Sequence, residues 1–310
     1  TLACIKLAMR ELNYYPNRVA QQLKTGHAKM IGLLVPSIVN PSFAALAREV
    51  DLAAKSHQYR VLLCNTYRQE DEERAFLEDM LSHGVRGIIV AASDMEKPHF
   101  IHAAEQGMVM INYDGRISPK TPQQGILFDS ISMDNIEAGH QATQHLIQRG
   151  CHNIVFAIEA SPTVSRGQKI KGFLSALDAN GLSTKDRVIE GKAVAAYGDT
   201  EMSELGQILA SKIAELSPRP DGVVAINDAL AIGLMVGLRN AGIRVPQDIS
   251  IVGIDNIPLS ALFNPGLTSV MPPLSNMVQL MIERLLSRID NPTMPPEEIL
   301  FTPMLISRQS

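Results

Sequence analysis

Residues 222–255 read GVVAINDALAIGLMVGLRNAGIRVPQDISIVGID. The run at 222–227 is apolar without alternation, and the run at 249–254 has the same pattern. Residues 228–241, between them, have the apolar spacing of a helix. A strand with a continuous apolar run is covered on both faces, which is typical of parallel sheets. The stretch therefore predicts one strand–helix–strand unit with parallel strands.

The same alternation of apolar runs and helical segments extends along most of the chain. The runs form two series, which predict strands over 30–35, 60–65, 87–92 and 109–113, then over 153–158, 188–190, 222–227 and 249–254. Two doubly wound α/β domains in tandem follow from this pattern, with a ligand cleft where the carboxyl ends of their strands face each other. A last helix over 274–288 and a strand over 299–306 are expected to complete these domains.

Composition and motifs exclude several classes of protein. The chain has 310 residues, of which 45% are hydrophobic and 19% charged, and this balance excludes disorder and a coiled coil. No apolar run is long enough to span a membrane, no signal-peptide layout opens the sequence, and three distant cysteines indicate no disulfide framework. We therefore expect a cytoplasmic protein that does not contact a membrane.

The charge is concentrated at the beginning of the chain. The net charge is −4, yet residues 1–30 hold five basic residues and a single acidic one, Glu11. This distribution suggests that the head contacts a polyanion, although a solvated helix explains it equally well. The sequence predicts a helix up to Asn13, a break at Tyr15-Pro16, and a second helix over 17–24. The second helix is too short to be stable alone and needs a partner surface.

Sequence motifs of common enzymes are absent. The sequence has no dinucleotide fingerprint, Walker A loop, nucleophile elbow or HExxH motif. His99 and His102 share a predicted helix face, but no third ligand has a suitable spacing, so we expect a solvated surface pair. We predict a binding protein and not an enzyme, with no cofactor and no metal.

Polar residues follow several predicted strands directly. They are Ser42 with Phe43, Asp134 with Asn135, Asn227 with Asp228, and Asp255 with Asn256. Asp and Asn at such positions often cap the next helix, so this alternative stays open for each of them. Their equivalent placement in two domains favours binding of a polyhydroxylated ligand, such as a sugar or a nucleoside.

Six segments resemble the LacI/GalR family, to which the lactose repressor belongs. They are 14–23 (YYPNRVAQQL), 30–36 (MIGLLVP), 40–43 (NPSF), 227–233 (NDALAIG), 245–255 (VPQDISIVGID) and 265–270 (PGLTSV), in the family's order. The resemblance implies two doubly wound α/β subdomains of the periplasmic-binding-protein-like type I, preceded by a partial helical DNA-binding head and a hinge helix. The expected limits are 1–28 for head and hinge, 29–158 with 272–297 for the N-terminal effector-binding subdomain, and 159–271 with 298–310 for the C-terminal one.

The resemblance also implies a function. It is that of a homodimeric DNA-binding regulator, a repressor, whose operator affinity is set allosterically by a sugar, a sugar phosphate or a nucleoside. The expected effector contacts are Ser42, Phe43, Asp134, Arg166, Lys169, Asn227 and Asp255. The expected hinge contacts to operator DNA are Asn17, Arg18, Val19, Ala20, Gln21 and Leu23. Leu23 takes the place of the family's apolar wedge in the minor groove, unless it is a core residue of the domain.

The sequence departs from the family pattern at two points. The helix that reads the major groove is not present, so we expect these 310 residues alone not to read an operator with normal specificity. Lys169 stands where many relatives have Arg, and Lys offers a point charge instead of a planar pair of donors. Arg166, one turn earlier, is an alternative donor, and the identity of the effector stays open.

Two other functions are compatible with the same architecture. A solute-binding receptor for a transporter is disfavoured by the hinge segment and by the missing secretion signal. A sugar hydrolase would use Asp134 and Asp255 as its pair of carboxylates, at a separation typical of glycosidases.

Overall fold

The structure is a computed structural model that describes residues 2–12, 28–91, 94–115, 128–160, 163–192 and 202–310. The head contributes one helix to this described part, α1 (Leu2–Glu11), which ends two residues before the predicted end. The predicted hinge contacts, Asn17–Leu23, lie outside the described residues. They stay predictions.

The first unit is a six-stranded parallel sheet covered by helices on both faces. Leu33 and Leu34 alternate between two apolar clusters on opposite faces of this sheet, as successive strand residues must. The elements of the unit are β1 (Met30–Val35), α2 (Pro41–Ser56), β2 (Arg60–Asn65), α3 (Glu70–Ser82), β3 (Gly87–Val90), α4 (Pro98–Glu105), β4 (Val109–Tyr113), β5 (Asp129–Met133), α10 (Leu274–Asp290) and β11 (Glu298–Phe301). The strand order is β11-β5-β4-β3-β1-β2.

The second unit repeats this architecture with the strand order β12-β10-β9-β8-β6-β7. All strand pairs are parallel except that of β10 with β12. Its elements are α5 (Asn135–Gln148), β6 (Ile154–Glu159), α6 (Val164–Ala179), β7 (Val188–Gly191), α7 (Met202–Glu215), β8 (Gly222–Ala225), α8 (Asp228–Asn240), β9 (Ser250–Ile254), α9 (Pro258–Leu262), β10 (Thr268–Met271) and β12 (Met304–Ile306). Strands β6, β8 and β9 are buried along their whole length, as their continuous apolar runs predict.

The limits of the two units need correction at two places. β6 pairs with β7 and β8 in the second sheet, whereas the expected limit at 158 assigned nearly all of it to the first unit. β11 pairs with β5 in the first sheet, although residues from 298 onward were expected in the second unit. The chain therefore crosses between the units after β5, after β10 and between β11 and β12. An apolar run predicts a buried strand but does not indicate which of two similar sheets the strand joins.

His99 also differs from its prediction as part of a solvated surface pair. It is buried, and its Nε2 lies 3.0 Å from Glu73 Oε2, while His102 on the same helix is exposed. Lys97 Nζ donates to the same Glu73 oxygen at 2.8 Å, so α3 and α4 are joined by a small buried ionic cluster. This cluster stabilises the packing of two neighbouring helices.

Candidate functional site

The candidate site is a cleft between the carboxyl ends of the two sheets. The loops after β1 and β6 border it, and in each sheet these strands lie where the strand order reverses, which is where α/β sheets bind ligands. The cleft encloses about 720 Å³, open solvent included. Its lining residues are Asn40, Ser42, Phe43, Arg68, Ala91, Tyr113 and Asp114 from the first unit, and Thr163, Val164, Ser165, Arg166, Lys169, Ile226, Asn227 and Asp255 from the second.

The start of α2 positions the polar residues of the first wall. Asn40 is the N-cap, and its Oδ1 accepts a hydrogen bond of 3.0 Å from the backbone N–H of Ser42. Pro41 occupies the first helical turn, where its missing N–H costs no hydrogen bond. Ser42 Oγ then donates to Asp255 Oδ2 of the second unit at 2.5 Å. Both predicted residues therefore lie in the cleft and are in direct contact across it.

Asp255 occupies a turn with unusual backbone geometry. Its φ is 111° and that of Asn256 is 52°, values that side-chain-bearing residues seldom adopt. Ser269 Oγ accepts from the Asn256 N–H at 2.9 Å and donates to Asp228 Oδ1 at 2.6 Å. The buried Asp228 therefore holds this turn, because its other oxygen accepts from the Ile257 N–H at 2.9 Å. Strained backbone of this kind is typical of ligand-binding positions.

Burial and, to a lesser extent, the nearby negative charge of Asp255 raise the pKa of Asp228 to about 7. The hydrogen bonds from Ser260, Ser269 and the Ile257 N–H stabilise the carboxylate and oppose this shift. Asp228 is fully buried behind the cleft and is not among the residues that line it. Its role is to position Asp255.

The start of α6 forms the second wall. Thr163 caps this helix by accepting a 3.3 Å hydrogen bond from the Arg166 N–H. The guanidinium group of Arg166 forms an ion pair of 2.8 Å with the buried Glu159 at the end of β6. Lys169 lies one turn further along the helix and is 7% exposed. Both predicted cations therefore line the cleft.

Asn227 and Asp134 have different positions, although each begins a helix. Asn227 lines the cleft and also caps α8, since its Oδ1 accepts from the Leu230 N–H at 2.9 Å. Asp134 caps α5 by accepting 3.0 Å hydrogen bonds from the N–H groups of Ile136 and Glu137. It is not among the residues that line this cleft, and its predicted effector contact stays a prediction.

Several cleft residues were not predicted from the sequence, among them Asp114, Tyr113 and Arg68. Asp114 follows β4 directly and accepts from Asn135 Nδ2 at 2.9 Å, so the strand-end pattern could have indicated it. The neighbouring Tyr113 keeps its phenolic proton, because burial, Asp114 and Asp255 hold its pKa well above the usual value. Arg68 lies on a turn after β2 with φ 59°, which nothing in its residue type indicates.

A group of side chains that could hold a metal ion does not assemble in the described part of the chain. No three His, Cys, Asp or Glu side chains there are close enough to bind a metal ion. Cys64 does not form a reactive thiolate, because burial and nearby carboxylates raise its pKa to about 11. In the same described ranges, the helices are too short or too polar to cross a membrane.

Sequence and structure comparisons decide the family. Residues 143–310 match the family model of the periplasmic binding protein-like domain. The HTH-type transcriptional repressor PurR of Proteus mirabilis (strain HI4320) is 31% identical over 315 residues, which cover 100% of this chain and 88% of that protein. A LacI family transcriptional regulator from Enterococcus faecium, solved with bound ribose, is 28% identical with a TM-score of 0.78 over 91% of this chain and 98% of that one. The chain belongs to the LacI family.

A second solved structure supports the same assignment. It is a periplasmic binding protein/LacI transcriptional regulator from Alkaliphilus metalliredigens, complexed with D-xylulofuranose. This protein is 26% identical, with a TM-score of 0.76, and the match covers 91% of this chain and 98% of that one. Membership of the LacI family confirms the resemblance described above and the α/β fold of two similar units.

Proposed function

We propose that this chain is a DNA-binding transcription repressor whose operator affinity is controlled by a small polyhydroxylated molecule bound between its two units. The observation that carries the proposal is the cleft itself. Both units contribute polar side chains to it, and Ser42 and Asp255 meet across it. A ligand that contacts both walls favours one relative arrangement of the units over another.

The chemistry of the cleft suits a ligand with several hydroxyl groups. Asp255 and Asp114 accept hydrogen bonds, while Asn227 and Ser42 both donate and accept them. Phe43 adds an apolar surface on which a sugar ring packs. Two relatives with bound ribose and D-xylulofuranose support this class of ligand.

We infer that the hinge segment transmits the change to DNA in a homodimer in the cytoplasm. A short helix over 17–24 becomes stable when it packs against a second copy on the operator. Leu23 then inserts into the minor groove, where Asn17, Arg18, Val19, Ala20 and Gln21 provide the surrounding contacts. A solute-binding receptor without DNA binding is the second candidate, but the match to a repressor over the whole chain favours the first.

The test uses the full-length protein and an operator selected from random DNA. We expect the ligand that most raises the melting temperature to change operator affinity at least about fivefold, as measured by fluorescence anisotropy. Leu23→Ala is expected to weaken operator binding and to leave the affinity for that ligand unchanged. If ligands bind in the cleft but none changes operator affinity, the allosteric function is wrong and the receptor is favoured.

A further inference from the structure

We infer that the ligand of this cleft is an anionic sugar derivative, one carrying a phosphate or carboxylate group, and that Lys169 binds the anionic group. The inference rests on the proposed function and specifies its ligand. Lys169 lines the cleft and is 7% exposed. Among the residues that the structure describes, none lies within hydrogen-bond or ion-pair distance of its ammonium group.

The neighbouring cation has a different environment. Arg166 lies 2.8 Å from Glu159, a carboxylate that is itself buried, so its charge is neutralised within the protein. Among the described residues, no carboxylate pairs with Lys169 in this way. A buried ammonium group carries three donors and is costly without a partner. A ligand that fills the cleft therefore has to supply the acceptor.

The start of α6 reinforces the positive potential at this place. Residues 163–165 at the beginning of this helix line the cleft, and the N-terminus of a helix attracts anions. The N-terminus of α6 therefore favours the same kind of anionic group as Lys169 does.

The position of Lys169 is fixed by close helix packing. A Cβ atom at Gly139 of α5 would lie 2.0 Å from the carbonyl oxygen of Lys169, so the two backbones are in direct contact.

The cleft also contains acceptors for the hydroxyl groups of a sugar, namely the carboxylates of Asp255 and Asp114. The cleft thus combines carboxylates for hydroxyl groups with a cation that has no partner among the described residues, and a sugar with one anionic substituent satisfies both.

The experiment compares matched pairs of probes by calorimetry: ribose with ribose 5-phosphate, glucose with glucose 6-phosphate, and glucose with glucuronate. We expect at least one anionic member to bind at least tenfold more tightly than its neutral parent. The carboxylate pair and the phosphate pairs distinguish the two anionic groups. Raising the salt concentration should weaken the anionic member selectively.

Variants test whether Lys169 causes the preference for the anionic member of a pair. Lys169→Met should reduce the ratio of the two affinities within the pair to about one, and Lys169→Arg should retain the preference for the anionic member. Lys171→Met, an exposed lysine on the same helix, should behave as the wild type. If neutral sugars bind as tightly as anionic ones and still change operator affinity, this inference is wrong and the proposed function stands. If none of these sugars binds, this inference is wrong, and the operator assay with other ligands decides the proposed function.

Discussion

Ser42 Oγ donates a 2.5 Å hydrogen bond to Asp255 Oδ2, and this bond joins the two units across the ligand cleft. Ser42 belongs to the first turn of α2, and Asp255 to the left-handed turn that follows β9. Because both residues line the cleft, the bond ties the separation of the units to the groups that face the ligand. The carboxylate that joins the two units therefore also faces the cleft.

The first prediction concerns this hydrogen bond. Ser42→Ala should lower the free energy of unfolding of the ligand-free protein by about 1 kcal/mol, because a part-buried carboxylate loses a donor. Urea unfolding measures the loss. Ser275→Ala is the matched control, since Ser275 Oγ donates to Glu49 at an exposed site within the first unit. An equal loss of the free energy of unfolding in both variants would show that the hydrogen bond across the cleft stabilises the protein no more than an exposed one does.

The second prediction concerns the attachment of α10 and β11 to the first sheet. Asp129 is fully buried and accepts hydrogen bonds from Arg284 Nε at 2.8 Å, Arg288 Nη1 at 2.7 Å and the Glu297 N–H at 3.0 Å. Asp129→Ala should lower the free energy of unfolding by about 3–5 kcal/mol, because two largely buried guanidinium groups lose the fully buried carboxylate that both of them contact.

The control for Asp129→Ala is an exposed ion pair. Asp248 binds Arg244 at the surface of the second unit, and Asp248→Asn should cause a much smaller loss in the same urea titration. Comparable losses of the free energy of unfolding would mean that burial does not strengthen the contribution of the Asp129 ion pairs.

The fold was predictable because its signal is repeated. Continuous apolar runs such as 87–90 and 222–225 predict strands covered on both faces, and the sheets contain them in that way. The crossing points were not predictable. Residues 154–159 are as apolar as a strand of either sheet, and the choice depends on packing between distant segments.

The site was predictable where a polar residue directly follows a predicted strand. Polar residues at strand ends, together with the resemblance, indicated Ser42, Asn227 and Asp255, which all line the cleft. The same argument predicts a ligand contact for Asp134, which caps α5 in the structure, and sequence alone does not separate the two roles because they use identical residue types at identical positions. Arg68 was missed, because its place in the cleft depends on a left-handed turn that its sequence does not indicate.

The third prediction concerns the pH dependence of stability. Asp228 has a pKa of about 7 in the folded protein, whereas an unfolded aspartate has a pKa of about 3.9. Between these values the folded state holds a proton that the unfolded state has lost. The free energy of unfolding should therefore fall as pH rises from about 4 to about 7 and then level off, with an upper limit of roughly 4 kcal/mol.

Asp228→Asn tests this assignment, because an amide keeps the shape of the side chain and does not titrate. Urea titrations at pH 5, 6, 7 and 8 give the free energy of unfolding as a function of pH. In the variant, the fall in this free energy that Asp228 causes should be lost. Asp178→Asn, at an exposed position on α6, should keep the wild-type slope. A slope that persists in Asp228→Asn would assign the dependence to another group.

The fourth prediction compares Gly→Ala substitutions at Gly139, which contacts α6, and at Gly167, which lies on α6. A Cβ at Gly139 would lie 2.0 Å from the backbone oxygen of Lys169, so Gly139→Ala must separate α5 from α6. We expect it to lower the free energy of unfolding by about 1–3 kcal/mol and to displace Lys169 from the cleft. Gly167 is a helical position with open space around its Cβ direction, so Gly167→Ala should raise the free energy of unfolding by about 1 kcal/mol. Thermal and urea unfolding of both variants measures these opposite signs, and a change of the same sign in both would contradict close packing at Gly139.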